Sequence, residues 1–378
     1  MSTKTELRAL GLMSGTSLDG IDAAIIETDG ETIGALGPTY YQPYGRQMHD
    51  DLRALLDRAS REGRAVQTTT EAREIEKAYT HAQADAIKAL LSRENLKASD
   101  IDLIGFHGQT ILHRPQDRWT WQMGDGALLA DLVGIPVVND FRGADVAAGG
   151  EGAPFAPLYH RALLESANYG TGTRPVAVLN IGGVGNVTWF GGDGAILAFD
   201  TGPGNALMDD WIRRHTGQSF DKDGAIAATG VVHEDRVRQA LENPYFDRRA
   251  PKSLDRLDFT GSFVEGLSLE DGLATLAHFT CASIAASRTH MKQPPKAWYV
   301  CGGGRKNSFL LNELRNLLKV QVEPVEALGW RGDSLEAEAF GVLAVRSLKG
   351  LPLSLPETTG VPQPMSGGQL HRPESVPA

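Results

Sequence analysis

The chain has 378 residues, 41% of them hydrophobic and 22% charged, enough for two domains that each bury a core. A net charge of −10 without a basic stripe argues against nucleic acid as a main partner. Two cysteines, Cys281 and Cys301, are too few for a disulfide framework, no apolar run reaches membrane-spanning length and residues 1–8 carry no apolar signal core, so the expected setting is the cytoplasm, away from the membrane.

Residues 7–13 and 22–28 read as two strands of a hairpin whose tip is Gly11-Leu-Met-Ser-Gly-Thr-Ser-Leu-Asp-Gly-Ile-Asp22. The glycines let backbone approach a ligand closely, and consecutive N–H groups form an anion-binding concavity. A hydroxyl or carboxylate there can hold a phosphate or its magnesium ion. An ordinary flexible turn has the same composition, so the stretch alone leaves both readings open. Residues 31–36 add a third strand, and 46–61 and 69–92 read as helices. In the second, Ile75, Ala78, Tyr79, Ala82, Ala86, Ala89 and Leu90 recur at helical spacing. A short apolar strand, 102–106, runs into His107-Gly-Gln-Thr110. Strand 119–123, helix 127–133 and strand 135–139 follow. This alternation points to an α/β fold with at least partly parallel sheets. Residues 140–157 hold four glycines and two prolines and read as both a hinge and a binding loop.

The second half repeats the grammar of the first. Strand 176–181 leads to a glycine tip, Gly182-Gly-Val-Gly185, then to strands 186–190 and 195–199. Two such meanders suggest an internal duplication. Helices are expected at 206–216, 233–242, 264–291, 307–318 and 334–348, with strands at 297–301 and 320–322. Cys281 falls on the apolar face of the third of these helices and reads as core. The proline-rich tail from Gly350 reads as extended.

Ligands of open α/β sheets bind where strands end in turns. Besides the first tip, with Asp19 and Asp22, three such places stand out. Asp200, in Asp200-Thr-Gly-Pro-Gly-Asn205, sits between a strand and a helix, as a general base or as a turn aspartate. Gly302-Gly303-Gly304 follow a strand, and a tight turn needs one glycine rather than three, which favours a nucleotide lying against the backbone. His107 and Gln109 suit hydrogen bonding to a sugar, or a polar turn; the partners of a closed zinc site for His107 and His113 are missing. Glu336 closes a capping-box pattern with Asp333 and can also face a ligand. Asp145 is a loop carboxylate.

Taken together these stretches resemble the anhydro-N-acetylmuramic acid kinases, of the actin, sugar kinase and heat-shock ATPase superfamily. The resemblance is carried by residues 11–22, His107-Gly-Gln-Thr110, Asp145-Val-Ala-Ala-Gly-Gly-Glu-Gly-Ala-Pro154, Leu179-Asn-Ile-Gly-Gly183 with Asn186-Val, Phe199-Asp-Thr-Gly-Pro-Gly-Asn205, Cys301-Gly-Gly-Gly304, Glu336-Ala with Ala339-Phe340, and Thr358-Thr-Gly360. It implies a two-domain actin-like (ribonuclease H-like) ATPase fold, each domain a mixed sheet with flanking helices, and an interdomain cleft for ATP. The expected domains are 1–140 and 141–378, with the C-terminal helix packing back on the first.

The implied reaction opens the 1,6-anhydro bridge of 1,6-anhydro-N-acetylmuramic acid with water. It phosphorylates O6 to give N-acetylmuramic acid 6-phosphate and ADP, in cell-wall sugar recycling. The resemblance makes Asp200 the catalytic base. Gly15, Thr16, Ser17, Leu18, Asp19, Gly20, Ile21 and Asp22, with Gly182, Gly183, Gly302, Gly303 and Gly304, would hold ATP, with Asp19 near Mg2+. His107, Gln109, Asp145 and Glu336 would bind or orient the sugar, and the family implies a homodimer. Two departures stand out. Some relatives carry a run of arginines where this chain has Arg142-Gly143-Ala144, and Glu151 stands where glutamine is frequent. The competing readings are a kinase for another anhydrosugar, such as levoglucosan, and a non-catalytic actin-like ATP switch.

Overall fold

The computed structural model describes residues 6–15, 17–167, 173–254 and 258–374. Two compact units form. The first comprises residues up to Ser166, Ser334–Pro356 and those from Val361 on; the second comprises Ala167–Asp333 and Glu357–Gly360.

In the first unit, β1 (Leu7–Met13), β2 (Gly20–Thr28) and β3 (Ile33–Pro43) form an antiparallel meander. Helices α1 (Arg46–Glu62) and α2 (Thr70–Arg93) follow. Thr69 caps α2 by accepting from Ala72 N, and Tyr79, Ala86 and Leu90 bury the predicted face. Strand β4 (Leu103–Phe106) is buried throughout, as a strand covered on both faces must be. Gly108, at φ 76°, then turns the chain into β5 (Gln109–Arg114), which pairs only with β6 (Trp119–Met123). Helix α3 (Gly126–Val133) is capped by Asp125 and ends at Gly134, φ 70°. Then come β7 (Val137–Asn139), α4 (Gly143–Ala147) and α5 (Pro157–Ser166).

The second unit starts with β8 (Val176–Ile181), β9 (Val184–Phe190) and β10 (Ile196–Pro203). Helices α6 (Ala206–Thr216), α7 (Glu234–Leu241) and α8 (Leu269–Ala286) follow, then β11 (Ala297–Cys301), α9 (Ser308–Leu318) and β12 (Gln321–Pro324). The chain returns to the first unit with α10 (Leu335–Leu348) and β13 (Gln369–His371).

The sheet orders are β13-β7-β4-β1-β2-β3 and β10-β9-β8-β11-β12. With β13 set aside, both read fifth-fourth-first-second-third among the strands of their own sheet, one from each end. In each the first, fourth and fifth strands are parallel and the second and third antiparallel. The duplication is therefore a duplication of topology, and the fold is a two-unit mixed α/β architecture. The first core gathers Leu10, Ile25, Tyr79, Leu90 and Phe106; the second gathers Leu179, Phe199, Trp211, Phe279 and Trp298.

Several boundaries move for local reasons. The helix expected over 264–291 is α8 flanked by 3-10 turns, because Gly266 adopts φ 81° and Ser268 starts α8 by accepting from Asp271 N. Strand β10 runs on through Pro203 across an irregularity between Asp200 and Gly202, so Asp200 lies within a strand rather than in a turn. The 140–157 loop contains α4. Cys281 is core, as its place on α8 required.

Helix α10 lies against β1 and β4 at a distance only glycine permits. A Cβ at Gly11 would stand 1.8 Å from Ala337 O, and one at Gly105 would stand 2.0 Å from Phe340 O. Both obstacles are backbone, so neither can yield cheaply. Gly11→Ala is expected to destabilise the protein by about 1–3 kcal/mol or more. Gly261→Ala, where a Cβ meets nothing within 4 Å, should stay within about 0.5 kcal/mol. Urea unfolding followed by fluorescence checks both, and equal midpoints would contradict the close packing of α10.

Candidate active site

The turn between β1 and β2 is shaped by Leu18. Its φ is 59°, an unfavourable region for a residue with a Cβ, and its fully buried side chain plugs the first core. With Leu18 turned inward, Ser17 and Asp19 are left exposed on either side. Ser17 Oγ donates to Asp19 Oδ1 at 2.5 Å, Leu18 N donates to Gly15 O and Tyr44 N donates to Asp19 O. Gly20, Ile21 and Asp22 are already strand β2, paired with Pro43, Gln42 and Tyr41. Ile21 is fully buried, so Leu18 and Ile21 have only backbone to offer a ligand. Thr16 lies outside the described residues. Asp19 and Asp22 act on Tyr41, whose phenol is pushed up to about 12 by burial first and by these carboxylates second.

The base of the turn is braced by a polar cluster that sequence reading missed. Tyr44 Oη donates to Ser14 Oγ at 2.8 Å, and Gln83 Nε2 donates to Ser14 Oγ at 3.1 Å. These residues are far apart in sequence, and nothing in local pattern joins them.

Gln109 connects this turn to the end of β4. Its Nε2 donates to Gly15 O at 3.1 Å, which fixes which amide atom is nitrogen. Its Oε1 is then a buried acceptor without a hydrogen-bond partner. His107 is its complement. Arg142 Nε and Nη2 both donate to His107 Nε2, at 3.2 and 3.0 Å. A guanidinium only donates, so Nε2 is the acceptor and the proton sits on Nδ1. That Nδ1 is buried without a partner. Burial, with Arg142 second, holds the His107 pKa well below the ordinary histidine value. A neutral donor and an amide acceptor are thus held on neighbouring backbone, and both suit sugar hydroxyls. A cavity of about 320 Å³ adjoins His107, walled in part by Trp119, Trp121, Gln122, Asn139 and Asp140, and this is within the small-molecule range.

Asp145 and Glu336 behave differently. Asp145 is buried in α4; its Oδ1 accepts from Gly152 N at 2.8 Å and its Oδ2 from Ser354 Oγ at 2.5 Å. It fixes the loop that carries Glu151 and Gly152. Arg142 Nη1 reaches the same loop at Gly152 O, 2.6 Å away. Gly143 has no room for a Cβ unless Asp140 moves, since Asp140 Oδ1 would lie 2.5 Å from it. Glu336 is exposed in the first turn of α10. The capping box does not form: Ser334 is the N-cap without a side-chain cap bond, and Asp333 pairs with Arg305 and Lys306. Glu338, which sequence reading passed over, is the buried carboxylate of that turn and accepts from Tyr159 Oη.

In the second unit, the Gly182-Gly183 tip is bonded to the entry of α6. Gly204 N donates to Gly183 O, Asn205 N to Gly182 O and Asn205 Nδ2 to Ile181 O. The three glycines after β11 divide by role. A Cβ at Gly302 would meet Asn180 Oδ1 at 2.2 Å, and one at Gly304 would meet Ile181 Cγ2 at 2.5 Å, so both are needed for packing against the end of β8. Only Gly303 is open, its nearest neighbour being Asn205 Nδ2 at 3.5 Å. Gly182, Gly303 and Asn205 thus form a cradle at the carboxyl ends of β8 and β11, where a phosphate or nucleotide can approach backbone. Arg305 locks the turn by donating to Gly302 O at 3.0 Å and to Glu326 at 2.8 Å.

Asp200 stands apart, on the edge strand β10. Its N donates to Lys252 O at 2.9 Å, its O accepts from Tyr245 Oη at 2.6 Å, and its Oδ2 accepts from Leu254 N at 2.8 Å. Backbone and carboxylate are fixed by one segment, 245–254, that carried no motif in the sequence. Among the described residues no group of three His, Cys, Asp or Glu side chains gathers to hold a metal. Asp19 with Ser17 fits magnesium in another manner, since that ion keeps several waters and uses one or two carboxylates together with phosphates.

The family model described as anhydro-N-acetylmuramic acid kinase matches residues 7–373. The chain is 50% identical over 368 residues to the anhydro-N-acetylmuramic acid kinase of Paramagnetospirillum magneticum, covering 97% of this chain and 99% of the relative. It is 51% identical over 370 residues to that of Acidiphilium cryptum, with the same shares of the two chains covered. Among solved structures, component A of (R)-2-hydroxyglutaryl-CoA dehydratase from Acidaminococcus fermentans is 12% identical, with a TM-score of 0.46 over 91% of this chain and 99% of that one. No helix among the described residues is long and apolar enough to cross a membrane. With a family model spanning both units and relatives at half identity over nearly their whole length, the chain belongs to the anhydro-N-acetylmuramic acid kinase family.

Proposed function

We propose that this chain uses ATP and water to convert 1,6-anhydro-N-acetylmuramic acid into N-acetylmuramic acid 6-phosphate and ADP, in the recycling of cell-wall sugar. The observation that carries the mechanism is the fixed carboxylate of Asp200. Asp200 takes a proton from a water that adds to the anomeric carbon. The C1–O6 bond breaks, and O6 takes the γ-phosphoryl group as the bond to ADP breaks. The leaving oxygen is the phosphate acceptor, so no separate general acid is required. The proton held by Asp200 returns to solvent after turnover. General-base catalysis of this kind contributes about 10²–10⁴-fold.

The remaining roles follow the bonds each residue makes. His107 donates from Nδ1 and Gln109 accepts at Oε1, orienting sugar hydroxyls. Asp145 and Arg142 hold the Gly152 loop, and Glu336, with its exposed carboxylate, would contact the sugar. The turn that leads into β2, with Gly15, Ser17, Leu18 and Asp19, would offer backbone to the β- and γ-phosphates, and Gly182, Gly183 and Gly303 would face the nucleotide. Gly302 and Gly304 act by letting the turn pack. Asp19 would hold magnesium, which when bound would supply charge neutralisation on the phosphates, the main need of phosphoryl transfer. The family resemblance supports a cytoplasmic homodimer.

The test of the substrate is turnover of 1,6-anhydro-N-acetylmuramic acid and of levoglucosan at equal concentration with ATP and Mg2+. Clear preference for the muramic sugar is expected; preference for levoglucosan would overturn the substrate. ATP hydrolysis without sugar should be far slower than sugar-stimulated turnover, and equal rates would favour an ATP switch. For Asp19→Asn the Mg2+ concentration at half-maximal rate should rise about tenfold or more, the worth of one charge-assisted contact. An unchanged Mg2+ titration would remove Asp19 from the metal site.

A further inference from the structure

Lys252 is a buried lysine, 2% exposed, with no counterpart in the roles assigned above. Its Nζ donates to Tyr245 O at 2.9 Å and to Phe246 O at 3.2 Å, and lies 4.4 Å from the centre of the Tyr245 ring. The ammonium therefore ties residue 252 to residues 245 and 246 and closes this part of the chain into a loop. Three bonds that hold Asp200 come from this loop and its exit: Tyr245 Oη, Lys252 O and Leu254 N. Without the tie, the Tyr245 hydroxyl and the Leu254 amide would be free to separate, and with them the two ends of the clamp on Asp200.

We propose that Lys252 is a positioning residue for the proposed base, its buried ammonium closing the 245–254 clamp that fixes the backbone and carboxylate of Asp200. The inference rests on the reading of Asp200 as the base. Among the described residues, the charged and titratable groups facing Lys252 include Arg248, Asp247, Asp200, His290 and the Tyr245 phenol. Burial, then Arg248, pull the Lys252 pKa down to about 8, while Asp247 and Asp200 act in the opposite direction. The charged form donates more strongly to both carbonyls and alone gains the cation–π attraction of the ring. The clamp is thus closed below about pH 8 and loosens as pH rises through that value. A lysine with an ordinary pKa would stay closed for two more pH units.

The test compares wild type, Lys252→Met, Lys252→Arg and Asp200→Asn by steady-state kinetics from pH 6.5 to 9.5 with ATP, Mg2+ and the anhydro sugar. Lys252→Met should lower kcat about 10²-fold, the effect of misplacing a reacting group, with KM for ATP unchanged. Lys252→Arg, whose charge persists across the range, should restore much of kcat at pH 7 and lose the fall in activity above about pH 8 that is expected of wild type. The arginine variant keeps the proposal testable even where the methionine variant fails to fold. An inactive Asp200→Asn with a Lys252→Met of wild-type kcat, or with a Lys252→Arg that keeps the wild-type alkaline limb, would overturn the role of Lys252 alone. An active Asp200→Asn would overturn the base and the positioning role together.

Discussion

An edge strand leaves the N–H and C=O groups on its outer side without a ladder, and they must be satisfied elsewhere. At Asp200 on β10 they are satisfied by Lys252 O and Tyr245 Oη, from one return segment. That constraint places the carboxylate. The irregularity between Asp200 and Gly202 shifts the pairing with β9, and bulges are found where a side chain must be re-aimed. Leu254 N then fixes one carboxylate oxygen. A general base needs a fixed position before it needs a tuned pKa, and for the base proposed at Asp200 that position comes from edge-strand backbone.

The two units apply one topology to different work. In the first, the end of β1 is a turn held open by Leu18, and the end of β4 presents His107 and Gln109. In the second, the end of β8 is a glycine tip bonded to α6, and the end of β11 is a glycine turn packed on Asn180 and Ile181. The same strands in each sheet deliver their residues to turns, as parallel strands of α/β sheets do. Specialisation lies in the turns: polar side chains with unpartnered atoms in the first unit, bare backbone in the second.

Much of this was legible in sequence, because apolar runs and glycines report directly on strands and their tips. The first meander, α2, the second hairpin and the β11–α9 turn lie close to where periodicity and glycine placed them. What stayed hidden depended on distant partners. Strand β5 follows a residue with positive φ and, among the described residues, pairs only with β6, so Gln109 and Thr110 are open to a polar-turn reading and residues 111–114 carry no expected element. Asp200 read as a turn residue because Gly202 and Pro203 follow it, yet the strand absorbs both. Three consecutive glycines suggested a ligand, and two of them are explained by packing alone. The Ser14–Tyr44–Gln83 cluster, the Tyr159–Glu338 pair and the Lys252 clamp join residues with no shared local pattern.

The central claim is that a carboxylate held this way delivers water to carbon rather than to phosphorus. It is tested most directly by turnover in 18O-labelled water, quenched before the anomeric hydroxyl exchanges with solvent and read by mass spectrometry. The label is expected in the sugar at C1, with none in the transferred phosphate. Label in the phosphoryl group, or inorganic phosphate carrying it in step with ADP, would place the attack on phosphorus and contradict the role proposed for Asp200.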